Sequence, residues 1–142
     1  MIVVLDTNVI VSALLSPTGP PAEIINRWEA DAYQVATSPP LLTELERVLR
    51  YPRVRKVLGA PQRAVSLVQR LKHVAIVVEP QTTPNVIEND PADDRVLACA
   101  VAAGAAYIVS GDEHLLRLKQ YRGITILQPA AFLAALTWEH RP

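Results

Sequence analysis

The chain has 142 residues, of which half are hydrophobic and a fifth are charged, and its 14 basic residues balance its 14 acidic residues. This composition excludes a disordered polypeptide, and the length suits one domain with a real hydrophobic core. No apolar run approaches the roughly 18 residues needed to span a bilayer, and the single cysteine, Cys99, excludes an intrachain disulfide. We therefore expect a cytoplasmic protein that is not inserted in a membrane.

The predicted elements alternate between strands and helices along the chain. Short apolar runs predict five strands, at residues 2–5, 33–37, 74–78, 105–109 and 124–127. Periodicity and start signals predict helices at residues 9–15, 21–28, 41–50, 53–58, 61–71, 91–103, 115–118 and 129–136, with a loop at 81–89 and a frayed end. Such an order predicts a single doubly wound domain over residues 1–142, built on a parallel sheet.

Asp6 directly follows the first predicted strand. The preceding residues, Ile2–Leu5, are apolar throughout, as expected for a strand covered on both faces, and Thr7 and Asn8 can cap the next helix. Open α/β sheets bind their ligands at the carboxyl ends of such strands, which makes Asp6 a candidate site residue. Taken alone, Asp6 is equally well explained as a helix-start acid favoured by the helix dipole.

Glu44 lies on the helix that follows the second predicted strand. At about 100° per residue, Glu44 falls on the inner edge of the apolar stripe, whereas Glu46 points to solvent, where we expect Arg50 to pair with it. An acid at the inner edge is costly to desolvate without a partner. Either Arg47, three residues further along, neutralises Glu44, or Glu44 serves a functional site.

Two adjacent acids, Asp93 and Asp94, occupy the first turn of the helix that begins near Pro91. The helix dipole and a cap at Asp90 explain acids at this place without any function. Beyond them the helix is apolar nearly all round, so at least one first-turn acid should face the protein interior. Asp94 shares its stripe with small residues that let the helix approach the sheet, which makes Asp94 the stronger candidate and Asp93 the weaker.

Asp112 follows the fourth predicted strand, although alone it is an ordinary turn or cap acid. Four candidate acids thus come after different strands and belong at the carboxyl edge of the sheet: Asp6, Glu44, Asp94 and Asp112. Two carboxylates 4 Å apart repel by about 4 kcal/mol at an effective dielectric of about 20, so such a cluster requires protonation or a cation. Oxygen ligands without cysteine favour Mg²⁺ or Mn²⁺, and the histidines show no zinc-ligand spacing.

Charge is segregated along the chain although its sum is zero. Residues 47–72 hold eight basic residues and no acid, whereas residues 79–94 hold five acids and no base. A solvated helical face explains this pattern. A basic surface beside an acidic metal site explains it equally, and that combination suits phosphodiester hydrolysis. In the second interpretation, contacts to a nucleic-acid backbone come from the basic segment, first of all from Arg47, Arg50, Arg53, Arg55 and Lys56.

The short motifs around the four candidate acids, in this order and spacing, resemble the PIN domain, a family of metal-dependent nucleases. The resemblance covers essentially the whole chain and rests on Val4–Val9, Glu44, Asp94–Ala100 and Val109–Asp112. Among PIN domains the chain is most similar to small prokaryotic proteins classed as toxin components of toxin–antitoxin pairs, of the VapC type. The resemblance implies a three-layer α/β/α sandwich around a central, mostly parallel sheet, here of five strands.

The resemblance also implies an endoribonuclease with an acidic Mg²⁺ or Mn²⁺ site. It gives the catalytic and metal-ligand roles to Asp6, Glu44, Asp94 and Asp112. Polar support would come from Thr7 or Asn8 and from Ser110, and Asp93 is the alternative to Asp94 as a ligand. The implied partners are RNA, a second copy of the chain in a homodimer, and a small antitoxin protein.

Other classes of protein that begin with a strand and an aspartate fit less well. A haloacid-dehalogenase-type phosphatase would normally carry a second aspartate where Asn8 stands. A response-regulator receiver would carry paired acids near its first strand and a lysine near its last. The remaining alternative is not an enzyme: a PIN-like module that binds RNA or an antitoxin without cleaving anything.

Overall fold

The structure is a computed structural model that describes residues 1–59, 61–81 and 91–139, with residues 138 and 139 described by their backbone only. Within these ranges lie eight helices: α1 Thr7–Leu15, α2 Pro20–Glu29, α3 Pro39–Leu49, α4 Pro52–Leu58, α5 Gln62–His73, α6 Pro91–Ala103, α7 Glu113–Leu118 and α8 Pro129–Glu139. The same ranges hold six strands: β1 Ile2–Leu5, β2 Gln34–Thr37, β3 Ile76–Val77, β4 Tyr107–Val109, β5 Gln120–Tyr121 and β6 Ile124–Leu127.

Several helices begin earlier than the sequence predicts. Asp6 caps α1, and its extended backbone lets the helix start at once at Thr7. Helix α3 begins at Pro39, because proline fits the first helical turn, where its missing N–H is not needed. Helix α8 continues to Glu139, beyond the predicted end at residue 136. The predicted loop at 81–89 lies outside the described residues except for residue 81, as do Asp90 and residues 140–142.

The sheet has six strands in the order β3-β2-β1-β4-β6-β5, so the prediction of five strands is wrong by one. All neighbouring pairs are parallel except β5 and β6. Strand β5 was missed because it is only two residues long and carries no apolar pattern. It pairs with β6 across a tight turn at Arg122 and Gly123, both of which have positive φ angles.

The helices cover both faces of the sheet and create two separate cores. Helices α1, α2, α5 and α8 pack on one face through residues such as Ile24, Leu71 and Phe132. Helices α6 and α7 pack on the other face through Leu97 and Leu115. The molecule is therefore a three-layer α/β/α sandwich, as expected. No described helix combines the length and the apolar character that crossing a membrane requires.

Strand β1 occupies the centre of the sheet, and the direction of chain winding reverses beside it. The chain moves from β1 to β2 in one direction, and it later returns through α6 to β4 on the other side of β1. Leu5 is in register with Val109, and the Asp6 N–H donates to the Val109 carbonyl at 2.9 Å. The carboxyl ends of β1 and β4 thus form a switch point, the place where such sheets bind ligands.

Candidate metal centre

A cleft of about 370 Å³ opens at this switch point. Each of the four acids that line it comes from a different part of the fold: Asp6 after β1, Glu44 on α3, Asp93 on α6 and Asp112 before α7. Three of the four acids predicted as ligands are therefore brought together. The fourth, Asp94, is not among the residues that line the cleft.

Asp6 is held in place by three hydrogen-bond donors. Its Oδ1 accepts from the Thr7 backbone N–H at 2.8 Å, and its Oδ2 accepts from the Ser110 hydroxyl at 2.7 Å and from the Asn8 side-chain amide at 3.2 Å. The residue is only 6% exposed. Thr7, Asn8 and Ser110 were predicted as polar support, and all three contact Asp6 directly. The result is a carboxylate with a fixed orientation at the wall of the cleft.

The loop after β4 is tied to the loop after β1 by the same side chains. Ser110 donates its hydroxyl proton to Asp6 and accepts the Asp112 backbone N–H at 3.0 Å, while the Asn8 side-chain oxygen accepts the Gly111 N–H at 3.0 Å. Asp112 in turn caps α7 by accepting the His114 N–H at 2.7 Å. These bonds fix the separation between Asp6 and Asp112.

Glu44 reaches the cleft from α3, and one of its carboxylate oxygens is buried. Its Oε2 is buried and has no hydrogen-bond partner within the described parts of the chain. Arg47 does not neutralise it, since no ion pair within 4 Å joins these two described residues. A buried carboxylate oxygen without a donor is costly, so its position calls for a ligand such as a cation or a water.

The two acids of α6 are equally buried, at 4% exposure each, but they differ in placement. Asp93 lines the cleft, and one of its oxygens lies within 4.8 Å of ligand atoms of both Asp112 and His114. The small-residue stripe of α6 favoured Asp94, yet the structure brings Asp93 to the other acids. His114 was not predicted, and the only signal for it is its position two residues after Asp112.

The surroundings of Asp6 disfavour the negative charge of its carboxylate. The pKa of Asp6 is raised from 3.8 to about 6, mainly because burial removes the carboxylate from water. The Ser110 and Thr7 hydrogen bonds lower this pKa, whereas the neighbouring charges of Glu44 and Asp112 raise it. An ordinary helix cap has no such cost, because the helix dipole favours its charged form. A bound cation would offset both the burial and the repulsion, so these residues fit a divalent metal ion.

The predicted RNA-binding residues are all exposed, and three of them line two different clefts. Arg47 lines a second cleft that also contains Glu44. Arg50 and Arg55 line a separate groove of about 430 Å³ between α3, α4 and α5, whose walls include apolar residues such as Leu58 and Val68.

Two other basic residues of the 47–72 segment have structural partners. Arg70 stacks on the Trp28 ring at 4.5 Å and donates to the Trp28 carbonyl at 3.0 Å. Lys72 pairs with Glu46 at 3.2 Å. The expected pair between Glu46 and Arg50 is therefore replaced by one between two helices. These contacts remove Arg70 and Lys72 from the set of residues free to bind a ligand.

Comparison with known proteins identifies a family whose profile includes the residues of the cleft. A family profile described as "PIN domain" matches residues 2–114. The match includes β1, α3, α6 and the start of α7, and hence all the acids of the cleft. An uncharacterised protein of Methanocaldococcus jannaschii, MJ1680, is 32% identical over 117 residues, which is 82% of this chain and 74% of that relative.

Proposed function

Because the chain belongs to the PIN-domain family, we propose that it is a metal-dependent endoribonuclease, with residues 1–142 forming one domain of this kind. PIN domains are typically nucleases and generally use divalent metal ions. The observation that carries the proposal is the meeting of four acids from separate elements in a single cleft. Repulsion among desolvated carboxylates has no evident benefit for folding, but it is what a divalent-ion site requires.

In this proposal the ion is Mn²⁺ or Mg²⁺, and its ligands come from Asp6, Asp93 and Asp112. The closeness of the His114 imidazole to two of these acids favours Mn²⁺, which accepts nitrogen ligands more readily than Mg²⁺ does. Asp94 stays a candidate ligand, since it is buried in the same helical turn as Asp93.

When bound, the ion would supply the Lewis acidity that activates a water and neutralises charge on the phosphate. Ser110 and Thr7 hold the Asp6 carboxylate in its orientation, so that no rearrangement is needed when substrate arrives. The Glu44 carboxylate, whose Oε2 has no donor among the described residues, orients the attacking water and accepts its proton. The water oxygen forms the new bond to phosphorus, the bond between phosphorus and the leaving ribose oxygen breaks, and the leaving oxygen takes a proton from solvent.

The first experiment measures cleavage of single-stranded RNA by the purified protein with Mn²⁺, with Mg²⁺ and with EDTA. Cleavage should require the metal and should be lost in Asp6→Asn. The matched control is Asp31→Asn, since Asp31 is exposed and precedes β2 at the opposite edge of the sheet. Metal and RNA binding without any cleavage would instead support the non-catalytic module that binds RNA or an antitoxin.

We extend the proposal to a biological role as the toxin of a toxin–antitoxin pair, acting in the cytoplasm as a homodimer that a small antitoxin neutralises. The support is the similarity of the motifs around Asp6 and Asp112 to those of VapC-type toxins. Production of the protein in a bacterial host should arrest growth, and Asp6→Asn should not. Normal growth at an equal level of active wild-type nuclease would contradict the toxin role and leave the nuclease in place.

A further inference from the structure

The cleft that the four acids line is here called the acidic cleft. A second cleft, of about 380 Å³, shares one residue with it. It lies between α3 and α6, and its walls are formed by Pro39, Pro40, Thr43, Glu44, Arg47 and Arg95. Because Glu44 belongs to both clefts, the two spaces meet along a single side chain. A ligand bound in the acidic cleft therefore lies close to the second one.

The two arginines of this second cleft have no partner within the described ranges. Neither Arg47 nor Arg95 forms an ion pair or a side-chain hydrogen bond with another described residue. Arg95 is half-buried, whereas Arg47 is exposed. Guanidinium groups are planar forks that bind pairs of anionic oxygens.

We propose that Arg47 and Arg95 bind the backbone phosphate adjacent to the one that is cleaved, and we call this pair of arginines the phosphate clamp. The proposal rests on the proposed nuclease function, because it places one phosphate of the strand at the acidic cleft and the next beside the arginines. Arg95 directly follows the acids of α6, so the same helical turn presents the acidic cleft and one half of the phosphate clamp. Arg47 supplies the other half from α3, one turn after Glu44.

The other four residues predicted to bind RNA are less suited to binding this phosphate. Arg50 and Arg55 lie in the groove between α3, α4 and α5, which does not include Glu44. Arg53 and Lys56 are exposed on α4 and line neither cleft. The clamp thus retains one residue of the set predicted from the sequence and adds Arg95, which lies outside the basic segment.

The test uses a fluorescently labelled single-stranded RNA oligonucleotide, whose binding is followed by anisotropy in EDTA over a range of salt concentrations. Arg95→Gln should weaken binding about tenfold, as expected for the loss of hydrogen bonds to a charged group. The salt dependence of log K should become shallower by about 0.7 for each phosphate that is no longer neutralised. Arg47→Gln should act in the same direction, and the double variant should show both effects.

Two further variants control for charge and for fold. Arg63→Gln removes one exposed positive charge from α5, outside both clefts, and should bind RNA as the wild type does. Arg95→Lys keeps the charge without the fork, so it should restore the salt dependence but only part of the affinity. Equal affinities and salt slopes for Arg95→Gln and Arg63→Gln would overturn the clamp.

Cleavage assays in Mn²⁺ separate this proposal from the nuclease proposal. In the variants of the clamp, KM should rise while kcat changes little, because the two arginines serve RNA binding. If the wild type cleaves RNA and Arg95→Gln has an unchanged KM, the clamp is wrong and the nuclease stands. If Arg95→Gln loses binding but the wild type never cleaves, the arginines bind an RNA phosphate, whereas the nuclease proposal and the placement of that phosphate beside a cleaved one are wrong. A wild type that neither binds nor cleaves RNA refutes both.

Discussion

Replacement of Asp6 by asparagine should make the metal-free protein more stable at neutral pH. The pKa of Asp6 is raised from 3.8 to about 6, mainly by burial. At about 1.4 kcal/mol per pH unit, this difference means that ionising Asp6 costs the folded state about 3 kcal/mol. Asparagine avoids that cost, but its single oxygen replaces a carboxylate that accepts three hydrogen bonds. We therefore expect a net gain of about 1–2 kcal/mol in the free energy of unfolding.

The gain should depend on pH in a defined direction. In the unfolded chain Asp6 loses its proton near pH 3.8, whereas in the folded protein it keeps the proton until about pH 6. The contribution of Asp6 to the free energy of unfolding of the wild type is therefore complete below about pH 4 and is lost as the pH rises through 6. Since asparagine does not ionise, the excess stability of Asp6→Asn should be small near pH 4 and approach its maximum above pH 7.

Urea unfolding in EDTA, followed by circular dichroism across this pH range, measures the effect. Asp31→Asn is the control for removal of an exposed charge, and we expect it to leave the pH profile of the wild type unchanged. Adding Mn²⁺ should reverse the order, because only the wild type gains stability from binding the ion. If Asp6→Asn is less stable than the wild type in EDTA at neutral pH, or if the difference is independent of pH, the burial of a costly charge at Asp6 is refuted.

Three other predictions concern the α6 acids, His114 and the core. Binding of Mn²⁺ should raise the unfolding midpoint of the wild type, by the equivalent of about 3 kcal/mol at an ion concentration about 100 times Kd. Asp93→Asn should abolish this rise. If Asp94→Asn abolishes it and Asp93→Asn does not, the ligand is Asp94. His114→Ala should reduce the stabilisation by Mn²⁺ more than that by Mg²⁺, and equal reductions would exclude the imidazole as a ligand. Phe132→Ala should cost about 3–5 kcal/mol in urea unfolding, since the ring is fully buried; a cost near zero would contradict its packing in the core.

The elements that position the site could be predicted because their sequence signals are strong. Strand β1 is apolar on both faces and ends at Asp6, so its place inside a parallel sheet and the position of its acid follow from pattern alone. The same holds for β4 and the loop that carries Asp112. Glu44 could be assigned to the inner edge of its helix because α3 has apolar residues on one side only.

The details that sequence reasoning missed depend on tertiary contacts. Helix α6 is apolar nearly all round, so periodicity gives little contrast between the faces of Asp93 and Asp94. His114 becomes a candidate ligand only because α6 brings Asp93 near it, and nothing along the chain reports that distance. Glu46 has a local partner at the right spacing, yet it pairs with Lys72 of another helix.

The structure combines the two interpretations of Asp6 that the sequence left equal, because Asp6 both caps α1 and lines the cleft. An acid that served only to cap α1 would be stabilised by the helix dipole in its charged form, and its pKa would fall. The pKa of Asp6 rises instead, although Thr7 and Ser110 donate hydrogen bonds that favour the charged form. Two sets of contacts thus act in opposition: burial and neighbouring acids disfavour the charge, while the donors fix its orientation. Such opposition is unfavourable for folding alone and becomes favourable once a cation binds, so the contacts of Asp6 fit a cation in the cleft in addition to its role as the cap of α1.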